Sequence, residues 1–97
     1  MPTYVTLSNF TDQGMKNIRE TTKRAEAFRK AAKEAGITVK EILWTQGQYD
    51  AIAIFESPDD TTTSAFLLSV AKLGNITVQT LRAFTATDME KILERVK

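Results

Sequence analysis

The sequence predicts an α+β fold, a four-stranded antiparallel sheet with two helices on one face and a further helix after the last strand. Three observations predict it. Four stretches read as strands by alternation or by β-branched and aromatic content. The segments after the first and third of these carry helical periodicity and cap residues. The second and third strands are separated only by a short glycine-containing turn, which makes them a hairpin.

The elements follow in order. Tyr4-Val5-Thr6-Leu7-Ser8 alternates with period two, the mark of a half-buried strand. Thr11-Asp12-Gln13-Gly14 supplies helix-start chemistry. Apolar or small residues then recur at Met15, Ile18, Thr22, Ala25, Phe28, Ala32 and Ala35, on one helical face. Thr21-Thr22 divides this stretch into a short helix and a longer one, and Gly36 is a C-terminal stop. Ile37 to Thr45 reads as the second strand and Tyr49 to Glu56 as the third. Gly47 falls at the third position of a four-residue turn, where type II geometry needs a positive φ. This turn places Trp44 opposite Tyr49.

Ser57-Pro58-Asp59-Asp60 opens the next helix. Ser57 is the expected cap, Pro58 suits the first helical position, and the acids favour the positive end of the dipole. The helix carries Phe66, Leu67, Leu68, Val70 and Leu73 and stops at Gly74-Asn75. Ile76 to Phe84 is the fourth strand. Thr87 with Glu90 is the expected capping box of a last helix whose apolar side holds Met89, Ile92, Leu93 and Val96. The order β-α-β-β-α-β is the split, ferredoxin-like arrangement, with spatial strand order 4-1-3-2.

The length of 97 residues predicts one domain spanning residues 1–97. There is no cysteine and no histidine, which excludes disulfides, thiolate chemistry and imidazole acid–base work, and predicts neither metal nor haem nor any other cofactor. Thirteen Lys and Arg against 12 Asp and Glu give a net charge of +1, which predicts no nucleic-acid and no membrane partner. The start Met1-Pro2-Thr3-Tyr4-Val5 lacks a basic segment followed by an apolar run, so a cytoplasmic location is expected.

The hairpin sorts side chains by face, because paired residues point the same way. One face holds Ile37, Val39, Leu43, Ile52 and Ile54, and these branched aliphatics are expected to meet the helices. The other holds Ile42, Trp44, Tyr49, Ala51, Ala53 and Phe55, and by alternation Tyr4 and Thr6. That face is expected to be the open one. Ala51-Ile52-Ala53-Ile54-Phe55 has no polar side, whereas a strand with one wet face alternates. A second copy related by a two-fold axis is the expected cover, making a homodimer or a higher homo-oligomer. Lys40-Glu41 puts a charge on each face and predicts a bulge.

Thr11-Asp12-Gln13-Gly14, then Arg24-Ala25-Glu26-Ala27, then Trp44-Thr45-Gln46-Gly47-Gln48-Tyr49-Asp50, then Leu81-Arg82-Ala83-Phe84-Thr85 resemble the GYD-domain family over almost the whole chain. Gly47, Tyr49 and Asp50 match the residues that give the family its name. The resemblance implies a dimeric α+β barrel, in which two ferredoxin-like subunits pack sheet to sheet. It implies no reaction.

Six residues are candidates for contact with a small apolar or aromatic ligand: Tyr4, Thr6, Trp44, Tyr49, Asp50 and Arg82. Tyr49 offers a hydroxyl and Asp50 a carboxylate, though turn chemistry accounts for both, and adjacent strand residues face opposite ways. Arg82 is suited to a bidentate carboxylate, or to pairing with Glu41, Asp50 or Glu56, or to a place at the sheet edge. Lys16, Arg19, Lys23, Arg24, Arg29, Lys30 and Lys33 make the first helical stretch basic. Glu20, Glu26 and Glu34 interrupt them, as on a solvated face. The expected function is an oligomeric small-molecule-binding or regulatory module with a cleft on the open sheet face. The alternative is a cofactor-free monooxygenase or isomerase of the dimeric α+β barrel type, acting on an aromatic or lactone substrate.

Overall fold

A computed structural model describes all 97 residues. Strand β1 (Thr3–Phe10) leads into a short helix α1 (Asp12–Lys16), a single 3-10 turn over Ile18–Glu20 and helix α2 (Thr21–Glu34). Strands β2 (Thr38–Trp44) and β3 (Ala51–Glu56) form the hairpin, followed by α3 (Asp60–Ala71), β4 (Ile76–Ala83) and α4 (Ala86–Glu94). The sheet is antiparallel throughout, in the order β2-β3-β1-β4, as the split β-α-β reading requires. The fold is α+β and ferredoxin-like with an added C-terminal helix.

The register sorts the faces. Tyr4 pairs with Phe55, Thr6 with Ala53 and Ser8 with Ala51. Across the hairpin, Val39 pairs with Phe55, Ile42 with Ala53 and Trp44 with Ala51. The expected bulge lies at Lys40, where the register slips between Val39 and Glu41, and Lys40 is ion-paired to Glu56 at 2.9 Å. The slip moves Val39 to the face of Phe55, where alternation alone does not place it.

The helices cover the face opposite to the one expected. Tyr4, Phe55, Ala32, Ile37, Phe66 and Leu67 form the buried core, with Phe28, Val39, Val70 and Val78 against it. Val5, Leu7, Leu43, Ile52, Ile54 and Leu81 share the uncovered face. The strand alternation is right; the side is not for Leu43, Ile52 and Ile54, whereas Ile37 and Val39 meet the helices as expected. The two faces are comparably apolar, so composition does not tell them apart. The handedness of the crossovers decides which one the helices meet.

Two caps also differ from expectation. The α3 cap is Asp59, whose carboxylate accepts from the Thr62 N–H at 2.7 Å, while Ser57 is fully buried with its N–H on the Pro2 carbonyl. The α4 box is Thr85 with Asp88, not Thr87 with Glu90, because the chain leaves β4 directly into the helix. These backbone N–H groups hold the Asp59 and Asp88 carboxyls below the usual carboxylate range. A depressed folded pKa gives stabilisation that is present above the unfolded value of about 3.9 and lost as pH falls through the lower folded value. The melting temperature of Asp59→Ser, which keeps a capping oxygen without the charge, should therefore fall less between pH 5 and pH 2 than that of wild type. Parallel acid profiles would show that the Asp59 charge adds nothing.

Candidate functional site

A cleft opens between the sheet and helices α2 and α3. Its cause is a taper in side-chain size. Along β1 the residues facing the helices run Tyr4, Thr6, Ser8; along β3, in the opposite direction, they run Phe55, Ala53, Ala51. At the Tyr4 end the rings of Tyr4 and Phe55 stack with centroids 5.7 Å apart and fill the space. At the Ser8 end the side chains are too short to reach the helices. The helices are also small there, with Ala25 and Ala31 on α2 and Ser69 on α3. Phe28 and Phe66 meet across the two helices, centroids 5.1 Å apart, and hold them over the gap.

The resulting cavity measures about 360 Å³. Fourteen of its 20 lining residues are hydrophobic, among them Phe10, Ile42, Trp44, Ala51 and Ile76. The polar lining is Thr6, Ser8, Thr21, Ser69 and Asn75, and the only charged residue is Arg24. Thr6 and Ser8 lie on the floor, both buried. Trp44 stands at the edge, 46% exposed, its indole N–H on the Thr21 hydroxyl at 2.9 Å.

Arg24 is fixed by the α1 corner. Gly14 of α1 is buried against the backbone of Asn75, where a β-carbon would overlap the Asn75 carbonyl. Thr11 donates its N–H to the Asn75 carbonyl at 3.0 Å and its hydroxyl to that of Gly74 at 2.5 Å. Against this corner Arg24 donates Nη1 to the Asn17 carbonyl at 2.8 Å and Nη2 to the Gly14 carbonyl at 3.3 Å.

The six expected contact residues do not converge. Thr6 and Trp44 line the cleft. Tyr4 lies deeper in the core; its hydroxyl donates to Asp60 at 2.5 Å, and this bond, followed by burial, raises its pKa. Arg82 is near Tyr4 but at the exposed edge. Its guanidinium lies 5.6 Å from the Tyr4 ring centroid and 4.6 Å from that of Phe84, and it donates to the carbonyls of Thr3 and Ala83. It makes no ion pair with Glu41, Asp50 or Glu56.

The expected Trp44–Tyr49 pair does not form. Trp44 pairs with Ala51, and the loop is closed one step further out, by the Thr45 N–H on the Asp50 carbonyl at 2.9 Å. Gly47 has the expected positive φ, +98°, but within this longer loop and not in a hydrogen-bonded four-residue turn. Tyr49 reaches over the open face instead, donating to Gln79 Oε1 at 3.1 Å. Asp50 accepts the Phe10 N–H at 2.9 Å, while its own N–H donates to the Ser8 carbonyl. It thereby pins the hairpin to the end of β1. The cleft residues that sequence reasoning missed are Ser8 and Arg24. The first was legible as the same-face neighbour of Thr6; the second was hidden among seven basic residues.

The GYD domain family model matches residues 4–93. A protein of Thermus thermophilus named "Glutamine synthetase and cystathionine beta-lyase binding protein" is 28% identical over 90 residues, covering 92% of this chain and 95% of its own length. No helix is long and apolar enough to cross a membrane.

Asp50 and Tyr49 should separate cleanly in a stability assay. Asp50→Ala leaves the Phe10 N–H without its acceptor and should cost about 1–3 kcal/mol. Tyr49→Phe loses one exposed hydrogen bond and should cost under about 1 kcal/mol. Urea melts of both variants give the comparison, and equal costs would mean that Asp50 does not pin the strand.

Proposed function

The chain belongs to the GYD-domain family, and we propose that it is an oligomeric binding module with a regulatory task, which holds a small apolar molecule in the cleft between its sheet and helices. The cleft carries this reading. Its volume lies at the lower end of the ~300–1,000 Å³ range of small-molecule sites, and its walls are apolar with a few polar groups, as such sites are. The lining contains no carboxylate, and its one charged side chain is an arginine, a donor-only group with no acceptor. This chemistry favours binding over proton transfer. The Thermus relative is named for binding two enzymes, which supports regulation over catalysis. The cleft lies under the helices, not on the open sheet face where the sequence reading placed it.

The open face is the surface for a second copy. Val5, Leu7, Leu43, Ile52, Ile54 and Leu81 spread a largely apolar surface across all four strands, interrupted by Glu41 opposite Ile54 and Gln79 opposite Leu7, and no helix of the chain covers it. The C-terminal helix adds to the uncovered area, because Met89, Ile92, Leu93 and Val96 are all exposed. The molecule is elongated, 51 × 31 × 18 Å, so these surfaces do not fold back on one another.

Two measurements test the two halves of this reading. Octanol added to isotopically labelled protein should shift the amide resonances of Ser8, Ala51 and Phe28. Ala51→Phe, which fills the cleft floor, should abolish those shifts while the protein stays folded; shifts confined to the open face would refute the cleft. Light scattering at micromolar concentration should give at least twice the monomer mass of 10.8 kDa. Leu7→Lys should lower it to the monomer, since position 7 faces Ile52 and Gln79 with no acid opposite, and an unpaired charge is strongly penalised in a dry interface. A monomeric wild type would refute the assembly. Ala53, expected on the open face, is buried on the cleft side and takes no part in that surface.

A further inference from the structure

We propose that the occupant of the cleft is an apolar monocarboxylate, with its chain or ring in the cavity and its carboxylate on Arg24. This rests on the reading of the cleft as a ligand site and adds the chemical class of the ligand. The observation that carries it is a cation without a counter-ion. The chain forms two ion pairs, Lys23 with Glu20 and Lys40 with Glu56, and Arg24 belongs to neither. No Asp or Glu lines the cavity. A partly buried charge beside apolar walls loses hydration, and a cation in that position is ordinarily paired.

The donor geometry leaves room for such a partner. A guanidinium carries five N–H donors in a planar fork. Arg24 uses one on each of two neutral carbonyls, Asn17 and Gly14. These contacts fix the side chain against the α1 corner and leave three of its five donors without a partner in the chain, on a residue that lines the cavity. Being neutral, the carbonyls do not cancel the charge. A carboxylate matches the fork in shape and supplies the missing charge.

The rest of the cavity limits the ligand to one charge and a modest size. With a single cation and no second Lys or Arg in the lining, a dianion would leave one charge unmatched. A volume of about 360 Å³ holds on the order of a dozen water-sized groups at ~30 Å³ each. The hydroxyls of Thr6 and Ser8 on the floor can take one polar substituent.

Octanoate and octanol test the inference, since they share a chain and differ in charge. Wild type should bind octanoate roughly tenfold or more tightly than octanol, the scale of one charge-assisted contact. Arg24→Gln should bind both probes alike, and Arg24→Lys should keep most of the preference. Equal affinity in wild type, or a preference that survives Arg24→Gln, would overturn the carboxylate and leave the cleft standing. Binding of neither probe would overturn both readings. If Arg24→Gln does not fold, a salt series on wild type decides. The preference should shrink as added salt screens the pair, and a preference independent of salt would overturn the role of Arg24.

Discussion

The structure depends on one constraint, the fall in side-chain size along the two central strands on the side that meets the helices. Tyr4 and Phe55 at one end support α2 and α3 on aromatic rings, and that end is where the buried core lies. Four residues on, Ser8 and Ala51 hold the same backbone positions with almost no side chain. Close packing of the whole interface would need the helices to tilt into the gap. The Phe28–Phe66 contact holds them apart, and the α1 corner on the Asn75 backbone blocks the far end. The cavity is thus the remainder between a filled end and a propped one, and not a separate feature added to the fold.

The same geometry explains why a charged residue lines an apolar space. Arg24 lies on α2 over the unfilled end, where Ser8 and Ala51 on the central strands are too short to displace it. The carbonyls of Gly14 and Asn17 draw the guanidinium toward the corner. A longer residue at position 8 or 51 would close the cavity and push Arg24 into solvent. Binding chemistry and packing are therefore set by the same few positions.

Much of the fold was legible in the sequence, and the parts that were not have physical reasons. Period-two alternation, the glycine at position 47 and the acids at 59 and 60 give the strands, the hairpin turn and a helix start. Alternation also groups Ile42, Trp44, Ala51, Ala53 and Phe55 correctly on one face. It does not say which face the helices take, because both are apolar and chain handedness decides. A slip of two residues in the turn preserves parity, so the grouping survives the wrong Trp44–Tyr49 pairing. The slip of one residue at Lys40 does not preserve it, so Val39 changes sides. Arg24 was illegible for a different reason. Periodicity places it on α2, but only the α1 corner, built from residues more than fifty positions apart, turns it inward.

The thinness of the core bears on how the two proposed associations relate. Only 12 of 97 residues are buried, and a domain of this size has little apolar area to spare. Branched aliphatics that would ordinarily fill a core, such as Ile52, Ile54 and Leu7, stand on the uncovered face instead. The chain has thus moved its best packing residues outward and left small ones inward. Any species that binds the folded form on either side stabilises it by mass action. The two sides share β1 and β3, with only the thickness of one sheet between them. Ala51 and Ala53 face the cleft while Ile52 and Ile54, between and beside them, face outward. A cleft ligand that binds the associated form more tightly than the free one would favour association on the other side. By the reciprocity of linkage, association then tightens the cleft for its ligand by the same factor. A sheet apolar on both faces thus sets the cavity and the outward surface on the same two strands, so any coupling between them has only one sheet to cross.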